Sequence, residues 1–112
     1  MRKTGTAIQR YKTMSTLQKI LGGKRKLEIL YYIAFHDIHR FGALRRQLEE
    51  ITESSLTKQL RELEADGFLI HHDYKGIPLR AEYTLSELGM SFIDIIRYMK
   101  QWREHNLPDC TA

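Results

Sequence analysis

The sequence predicts an α+β fold that is mainly helical, and three features of the chain indicate it. Three leucines within residues 52–67 recur at steps of four and three, which places them on one face of a helix. Apolar and polar residues alternate over residues 68–74 and again over 80–85, a pattern typical of the two strands of a hairpin. Apolar side chains at steps of four and three over residues 86–104 predict a long helix near the carboxyl end.

Size and composition indicate one domain. The chain has 112 residues, of which 42% are hydrophobic, enough for a single compact core over residues 1–112. No apolar run approaches the roughly 20 residues that cross a bilayer, and no signal-peptide core follows the basic amino terminus, so we expect a cytoplasmic protein. The lone Cys110 is compatible with a reducing compartment. It could cross-link two chains through their tails, but we interpret it as an incidental thiol.

Basic residues are concentrated at the amino terminus. The net charge is +4, yet the first 27 residues contain eight Lys or Arg and no acid, while the rest contains ten basic and fourteen acidic side chains. Such a block suits a polyanion, of which nucleic acid is the commonest partner of a small domain. A solvated arm that aids solubility explains the same block equally well. We expect residues 1–9 to form a flexible basic arm.

The first half of the chain predicts three helices. A helix over residues 10–21 ends at a pair of glycines, and a second follows over 24–35. Residues 38–41 have the pattern of a short strand, and a third helix is predicted over 42–49. The predicted inward residues are Leu27, Leu30, Tyr31 and Ala34 in the second helix, and Leu44 and Leu48 in the third.

Residues 42–66 predict a helix-turn-helix. Thr52 can cap the amino terminus of the second of these helices, and Gly67 can end it in the left-handed conformation. Two short helices joined this tightly, the second with a polar outer face, are typical of DNA-binding domains. Residues 68–85 then form the predicted hairpin, with glycine and proline in its loop, and this hairpin would be a wing.

The two terminal helices, 10–21 and 86–104, have more apolar surface than one small domain readily covers. This predicts an isologous homodimer in which the terminal helices pack across a two-fold axis. Packing of the two helices against each other within one chain is the alternative. The predicted interface residues are Tyr11, Met14, Leu17, Leu88, Phe92, Ile95, Ile96, Met99 and Trp102.

Several spaced motifs carry a family resemblance. They are Leu21-Gly22-Gly23-Lys24, Arg40-Phe41, Leu44-Arg45, the segment 56–67, Pro78, the segment 82–89 and Trp102. With these residues the chain resembles the HxlR-type winged helix-turn-helix transcription regulators, which are similar in outline to the MarR group. The resemblance implies double-stranded DNA and a second copy of the chain as partners. It also leaves room for a small-molecule effector between the terminal helices and the helix-turn-helix, which the residues do not identify.

The chain departs from the family pattern at two points. The family usually has tryptophan after Gly-Gly-Lys, whereas this chain has Arg25, so either the local packing differs or this position has become a phosphate contact. Several members also have a cysteine near the amino terminus that senses oxidants. This chain has none there, so we do not expect thiol sensing.

A winged helix of this kind would read DNA with the outer face of the helix that follows Thr52, its recognition helix. The candidate contacts are Lys24, Arg40, Arg45, Ser54, Ser55, Lys58, Gln59, Arg61, Lys75 and Arg80. We expect Ser54, Ser55, Lys58 and Arg61 to face base edges, with Lys58 foremost and Gln59 at the margin. The other candidates would contact phosphates or the minor groove. A solvated helix face and an ordinary charged hairpin are the alternatives. In a symmetric dimer the recognition helices would lie about 34 Å apart, on a pseudo-palindromic operator.

Other functions are less well supported by the sequence. The histidines at 36, 39, 71 and 72 lack a recognisable metal-ligand spacing, so we expect no metal and no cofactor. The chain has no nucleophile elbow or phosphate-binding glycine loop, so we do not expect an enzyme. The competing hypothesis is a winged-helix module for protein–protein assembly, which the acidic balance after residue 27 favours.

Overall fold

The computed structural model describes residues 7–23, 25–74 and 80–107, with side chains from residue 14 onward in the first range and from residue 81 in the last. This part of the chain forms five helices and two strands. They are α1 (Ala7–Leu21), α2 (Lys26–His36), α3 (Phe41–Gln47), α4 (Glu53–Ala65), β1 (Leu69–Tyr74), β2 (Arg80–Leu85) and α5 (Glu87–Asn106). No helix in these ranges combines the length and apolarity needed to cross a membrane.

The two strands pair antiparallel as one hairpin, from Leu69 opposite Leu85 to Tyr74 opposite Arg80. The expected strand over residues 38–41 is reduced to one bridge, between Arg40 and Glu82. The reason is that α3 already begins at Phe41, which leaves too few extended residues for a strand. The connector before α3 is nevertheless fixed to the hairpin, because the amide of Tyr83 donates to the carbonyl of His39 over 2.9 Å.

One apolar core lies between the helices and the inner face of the hairpin. Its fully buried members are Ile29, Leu30, Leu44, Leu48, Leu56, Leu60 and Leu63. The inward face expected for α2 was partly correct: Leu30 is in the core, and Leu27 and Ala34 pack half-buried against it. Ile29 and Ile33, which were not predicted, are also in the core, and Tyr31 is half-buried outside this cluster. Because α2 is apolar on nearly all sides, its periodicity could not select the inner face.

The start of α5 is locked against the start of the hairpin. Ser86 caps α5 by accepting from the amide of Gly89 over 3.0 Å, and its hydroxyl donates to the carbonyl of Gly67. A Cβ at Gly89 would lie 2.2 Å from the carbonyl oxygen of Phe68, so only glycine permits this approach. The hairpin therefore has a fixed position between α4 and α5.

Candidate nucleic-acid interface

Helix α4 is one-sided, and its inner side is held firmly. The hydroxyl of Thr52 accepts from the amide of Ser55 over 3.0 Å, which caps the first turn. Leu56, Leu60 and Leu63 are fully buried. Because three core leucines fix the rotation of the helix about its axis, the opposite side is held outward in one orientation.

The outward side of α4 is polar and faces solvent. Ser54, Lys58, Arg61 and Ala65 are all exposed, as their helical spacing indicated. Together with the half-buried Thr57 and Glu62 they line a shallow concavity of about 490 Å³. This set of side chains is called the α4 face below: Ser54, Thr57, Lys58, Arg61, Glu62 and Ala65. An exposed helix with polar and basic side chains on its outer side has the size and chemistry to enter the major groove of DNA.

Two of the residues expected to contact bases, Gln59 and Ser55, are less accessible to solvent than predicted. Gln59 is only 8% exposed, and its amide oxygen has no hydrogen-bond partner within the described structure. It lies on the leucine side of α4, so the structure excludes it from the α4 face. Ser55 is half-buried, and its backbone amide is engaged by the cap at Thr52.

An ion pair joins Glu62 of the α4 face to a lysine buried behind it. The Lys26 ammonium is 2.8 Å from Glu62 Oε1, and the side chain of Lys26 is only 5% exposed. The hydrogen bond that Lys26 donates is the largest of the influences that lower the pKa of Glu62, and the positive charges of Lys26, Lys58 and Lys19 act in the same direction. Sequence reasoning did not predict that these two residues pair. No local signal distinguishes Lys26, which follows two basic residues, from a solvated cation, because its partner Glu62 lies on another helix.

The arginines next to α4 are partly engaged within the chain. Arg40 lies 3.4 Å from the Glu82 carboxylate, and Arg45 donates to the carbonyl of Ile51 over 3.4 Å. Both side chains remain about half exposed, at 58% and 48%. Each can therefore still reach a phosphate on the side turned to solvent.

Arg25, which stands where the family usually has tryptophan, also has intramolecular partners. Its guanidinium pairs with the carboxylate of Glu28 and donates to the carbonyl of Glu49 over 3.3 Å. Arg25 thereby ties the start of α2 to the turn between α3 and α4. Of the two alternatives for this position, the structure supports different local packing.

Side-chain contacts link the two strands of the hairpin, and its tip lies outside the described residues. His72 Nε2 lies 2.8 Å from the hydroxyl of Thr84, and the ring of His71 stacks on Tyr83 with centroids 4.7 Å apart. Of the wing candidates, Arg80 is described in its backbone alone. Lys24 and Lys75 lie outside the described residues, as do residues 1–6 of the predicted arm and Cys110.

The predicted interface residues on the terminal helices differ in how much of their surface is exposed. Met14, Leu88, Ile95 and Trp102 are exposed, and Leu17 and Met99 are half-buried. Phe92 and Ile96 are each 6% exposed because they face the protomer's own core, so they have little surface left for a partner. The side chain of Tyr11 lies outside the described residues.

An apolar cavity of about 450 Å³ lies between α1, α5 and the segment that joins α4 to β1. Leu17, Ile20, Phe68, Phe92 and Ile95 supply most of its apolar wall, and Thr16, Lys19, Asp66 and Ser91 supply polar groups. It lies where the terminal helices meet the end of α4. No group of three or more potential metal ligands occurs among the described residues.

Five helices with a two-stranded hairpin after the fourth define a winged helix-turn-helix protein, the class to which many transcription regulators belong. A family model described as HxlR-like helix-turn-helix matches residues 20–110. The chain belongs to this family.

Relatives agree with this assignment. The HTH-type transcriptional regulator YybR of Bacillus subtilis is 42% identical over 87 residues, which cover 78% of this chain and 69% of YybR. The regulator YdeP of the same organism is 40% identical over 91 residues, covering 81% and 70%. The solved structure of the redox regulator HypR in its reduced form matches with a TM-score of 0.75 at 38% identity, covering 84% of this chain and 92% of HypR. The protein is therefore a transcriptional regulator of the winged-helix type.

Proposed function

We propose that this protein regulates transcription in the cytoplasm by binding double-stranded DNA as a homodimer. The observation that supports this proposal most strongly is the α4 face, a polar and partly basic surface that a fully buried leucine stripe holds outward. On this proposal α4 enters the major groove and reads base edges, while the hairpin contacts the adjacent backbone or the minor groove. Affinity then comes mainly from phosphate contacts, and sequence preference from Lys58 and Arg61.

The homodimer part of the proposal is supported by the outer side of α5. Ile95, Tyr98 and Trp102 expose at least half of their surface, a combination that a second copy of the chain would cover. A two-fold axis there would present two α4 faces to one side of DNA. Their separation would be about 34 Å, one helical turn, and the operator would be pseudo-palindromic.

The proposal is tested by duplex binding as a function of salt. A labelled duplex is first selected from a randomised pool, and its affinity is compared with that of a shuffled duplex by fluorescence anisotropy. If the protein contacts six to ten phosphates, raising the salt from 50 to 200 mM should weaken binding by about 10³- to 10⁵-fold. Lys58→Ala with Arg61→Ala should abolish the preference for the selected duplex. Lys100→Ala with Arg103→Ala, the same change in charge on α5, should leave it intact.

The second candidate, a protein–protein assembly module, is favoured by the fourteen acidic and ten basic side chains from residue 28 onward. An assembly module needs no phosphate contacts. The same titration separates the two functions, because binding that cannot be measured even at low salt would support assembly and contradict DNA binding.

A further inference from the structure

Glu62 is an acidic residue on a surface proposed to meet a polyanion. It lines the same concavity as Lys58 and Arg61, one turn of helix after Lys58. Its side chain is 41% exposed, so it is accessible from solvent. A carboxylate with no counter-charge at this position would repel the phosphates of an approaching duplex.

Lys26 supplies that counter-charge from behind. Its ammonium lies 2.8 Å from Glu62 Oε1 and donates to the backbone carbonyl of Lys19 over 3.4 Å. A cation that is nearly inaccessible to water is costly to bury unless it is paired, so the pair holds both side chains in place. Lys26 thus neutralises Glu62 without occupying the α4 face.

One carboxylate oxygen of Glu62 remains available. Oε1 is engaged by Lys26, whereas Oε2 has no hydrogen-bond partner among the described residues. The pairing with Lys26 also keeps Glu62 ionised, since it lowers the pKa of this carboxyl. An ionised carboxylate accepts hydrogen bonds and cannot donate them. Among the base edges of the major groove, cytosine is the base that presents only a donor, its N4 amino group.

We propose that Glu62 is a specificity-determining residue that accepts a hydrogen bond from a cytosine N4 amino group in the major groove, and that Lys26 is its positioning residue. The inference rests on the proposed function, because it requires α4 to enter the groove. It changes the expected chemistry of the interface. Lys58 and Arg61 donate to their bases, whereas Glu62 selects a base pair by accepting.

The test is Glu62→Gln, assayed on the selected duplex and on a set in which each base pair of the half-site is replaced in turn. One position should lose its preference for cytosine, by about 5- to 100-fold, and adenine should gain there because glutamine pairs well with adenine. Glu64→Gln, the same substitution two residues further along the helix, should leave every preference unchanged. A uniform gain in affinity for all duplexes, with the wild-type preferences retained, would overturn the inference and leave the proposed function standing.

A second variant covers the case in which Glu62→Gln fails to fold because Lys26 is left buried without a partner. The double variant Lys26→Met with Glu62→Gln removes both charges and keeps their volume, which the fold tolerates better than half of a buried pair. It should show the same loss of preference for cytosine at the same position, and unaltered preferences would overturn the inference. If the wild-type protein binds no duplex at low salt, the proposed function fails and this inference fails with it.

Discussion

Helices α4 and α5 both contribute to the core, but they differ on the side turned away from it. The outer side of α4 carries no large exposed apolar residue, whereas α5 exposes Ile95, Tyr98 and Trp102 in addition to burying Phe92 and Ile96. When a helix is apolar on one side only, the core of its own domain covers that side, and the polar side can contact a polar ligand. A helix that is apolar on two sides retains surface that water solvates poorly, so it favours a protein partner. The contrast separates a surface for DNA from a surface for a second protomer.

The largest expected effect comes from the inner side of α4. Leu60→Ala should lower the free energy of unfolding by about 2 to 5 kcal/mol, because it leaves a cavity in the core that fixes the rotation of the helix. Lys58→Ala, two residues away on the outer side, should change it by no more than about 0.5 kcal/mol. Urea denaturation followed by circular dichroism measures both values. Equal losses would mean that α4 is not one-sided in solution.

A charge on the outer side of α5 should disrupt self-association. Ile95→Glu places a carboxylate in the proposed interface and should weaken dimerisation by about 2 kcal/mol or more, the range of an interface hot spot. The monomer should stay folded, because Ile95 is 51% exposed before the change. Sedimentation equilibrium gives the dimer dissociation constant. Gln101→Glu, an equal change in charge at another exposed position of α5, is the control, and an unchanged dimer in Ile95→Glu would rule out this surface as the contact.

Lys58→Ala should act on sequence preference and leave stability unaltered. Loss of a base-reading ammonium should reduce discrimination at one base pair by about 1 to 3 kcal/mol. Competition between the selected duplex and its single-base variants measures that discrimination. A loss shared equally by selected and shuffled duplexes would show that Lys58 contacts only phosphate.

Arg80→Ala, in the wing, should reduce affinity for all sequences, whereas Lys58→Ala should reduce sequence preference. Arg80 begins β2 at the end of the hairpin loop, where a phosphate contact would be made regardless of sequence. Its removal should weaken binding to all duplexes and reduce the slope of log affinity against log salt by about 1. Salt titrations of the wild-type protein and the variant supply the two slopes. An unchanged slope would exclude Arg80 from the phosphate contacts.

The one-sidedness of α4 was predictable because its signals are local. Thr52 as the cap, Gly67 as the stop and leucines at helical spacing between them fix the helix and its outer face from the sequence. Gln59 could also have been assigned correctly, since it lies three residues after Leu56 and four before Leu63. That spacing places Gln59 beside the leucine stripe, whatever its polarity.

The contacts that the sequence did not predict are those set by tertiary packing. Lys26 follows two basic residues and resembles a solvated cation, and only the approach of Glu62 from another helix explains its burial. In α5 the apolar residues form one continuous pattern, so spacing could not show that Phe92 and Ile96 face the core while Ile95 faces out. Which apolar side a helix buries depends on the elements that pack against it in the folded protein.

The smallest expected effect is on how the free energy of unfolding changes at acid pH, where the wild-type protein and Glu62→Gln should differ because of the Lys26–Glu62 pair. The pKa of Glu62 is lowered from its ordinary value of 4.5, chiefly by the hydrogen bond from Lys26. A carboxyl whose pKa is lower in the folded than in the unfolded state stabilises the fold above the unfolded value, and this contribution is lost as pH falls through the folded value. The stability advantage of the wild-type protein over Glu62→Gln should therefore be constant near neutral pH and shrink below pH 4.5.

Urea midpoints of the two proteins, measured from neutral pH down to about pH 3, give this difference as a curve. Glu49→Gln is the matched control, because the Glu49 side chain is exposed and forms no ion pair within the described residues. Its stability should run parallel to that of the wild-type protein throughout. Parallel curves for Glu62→Gln as well would show that Lys26 does not hold Glu62 in solution. The α4 face would then carry an acid without a counter-charge, and Glu62 would disfavour the approach of DNA phosphates.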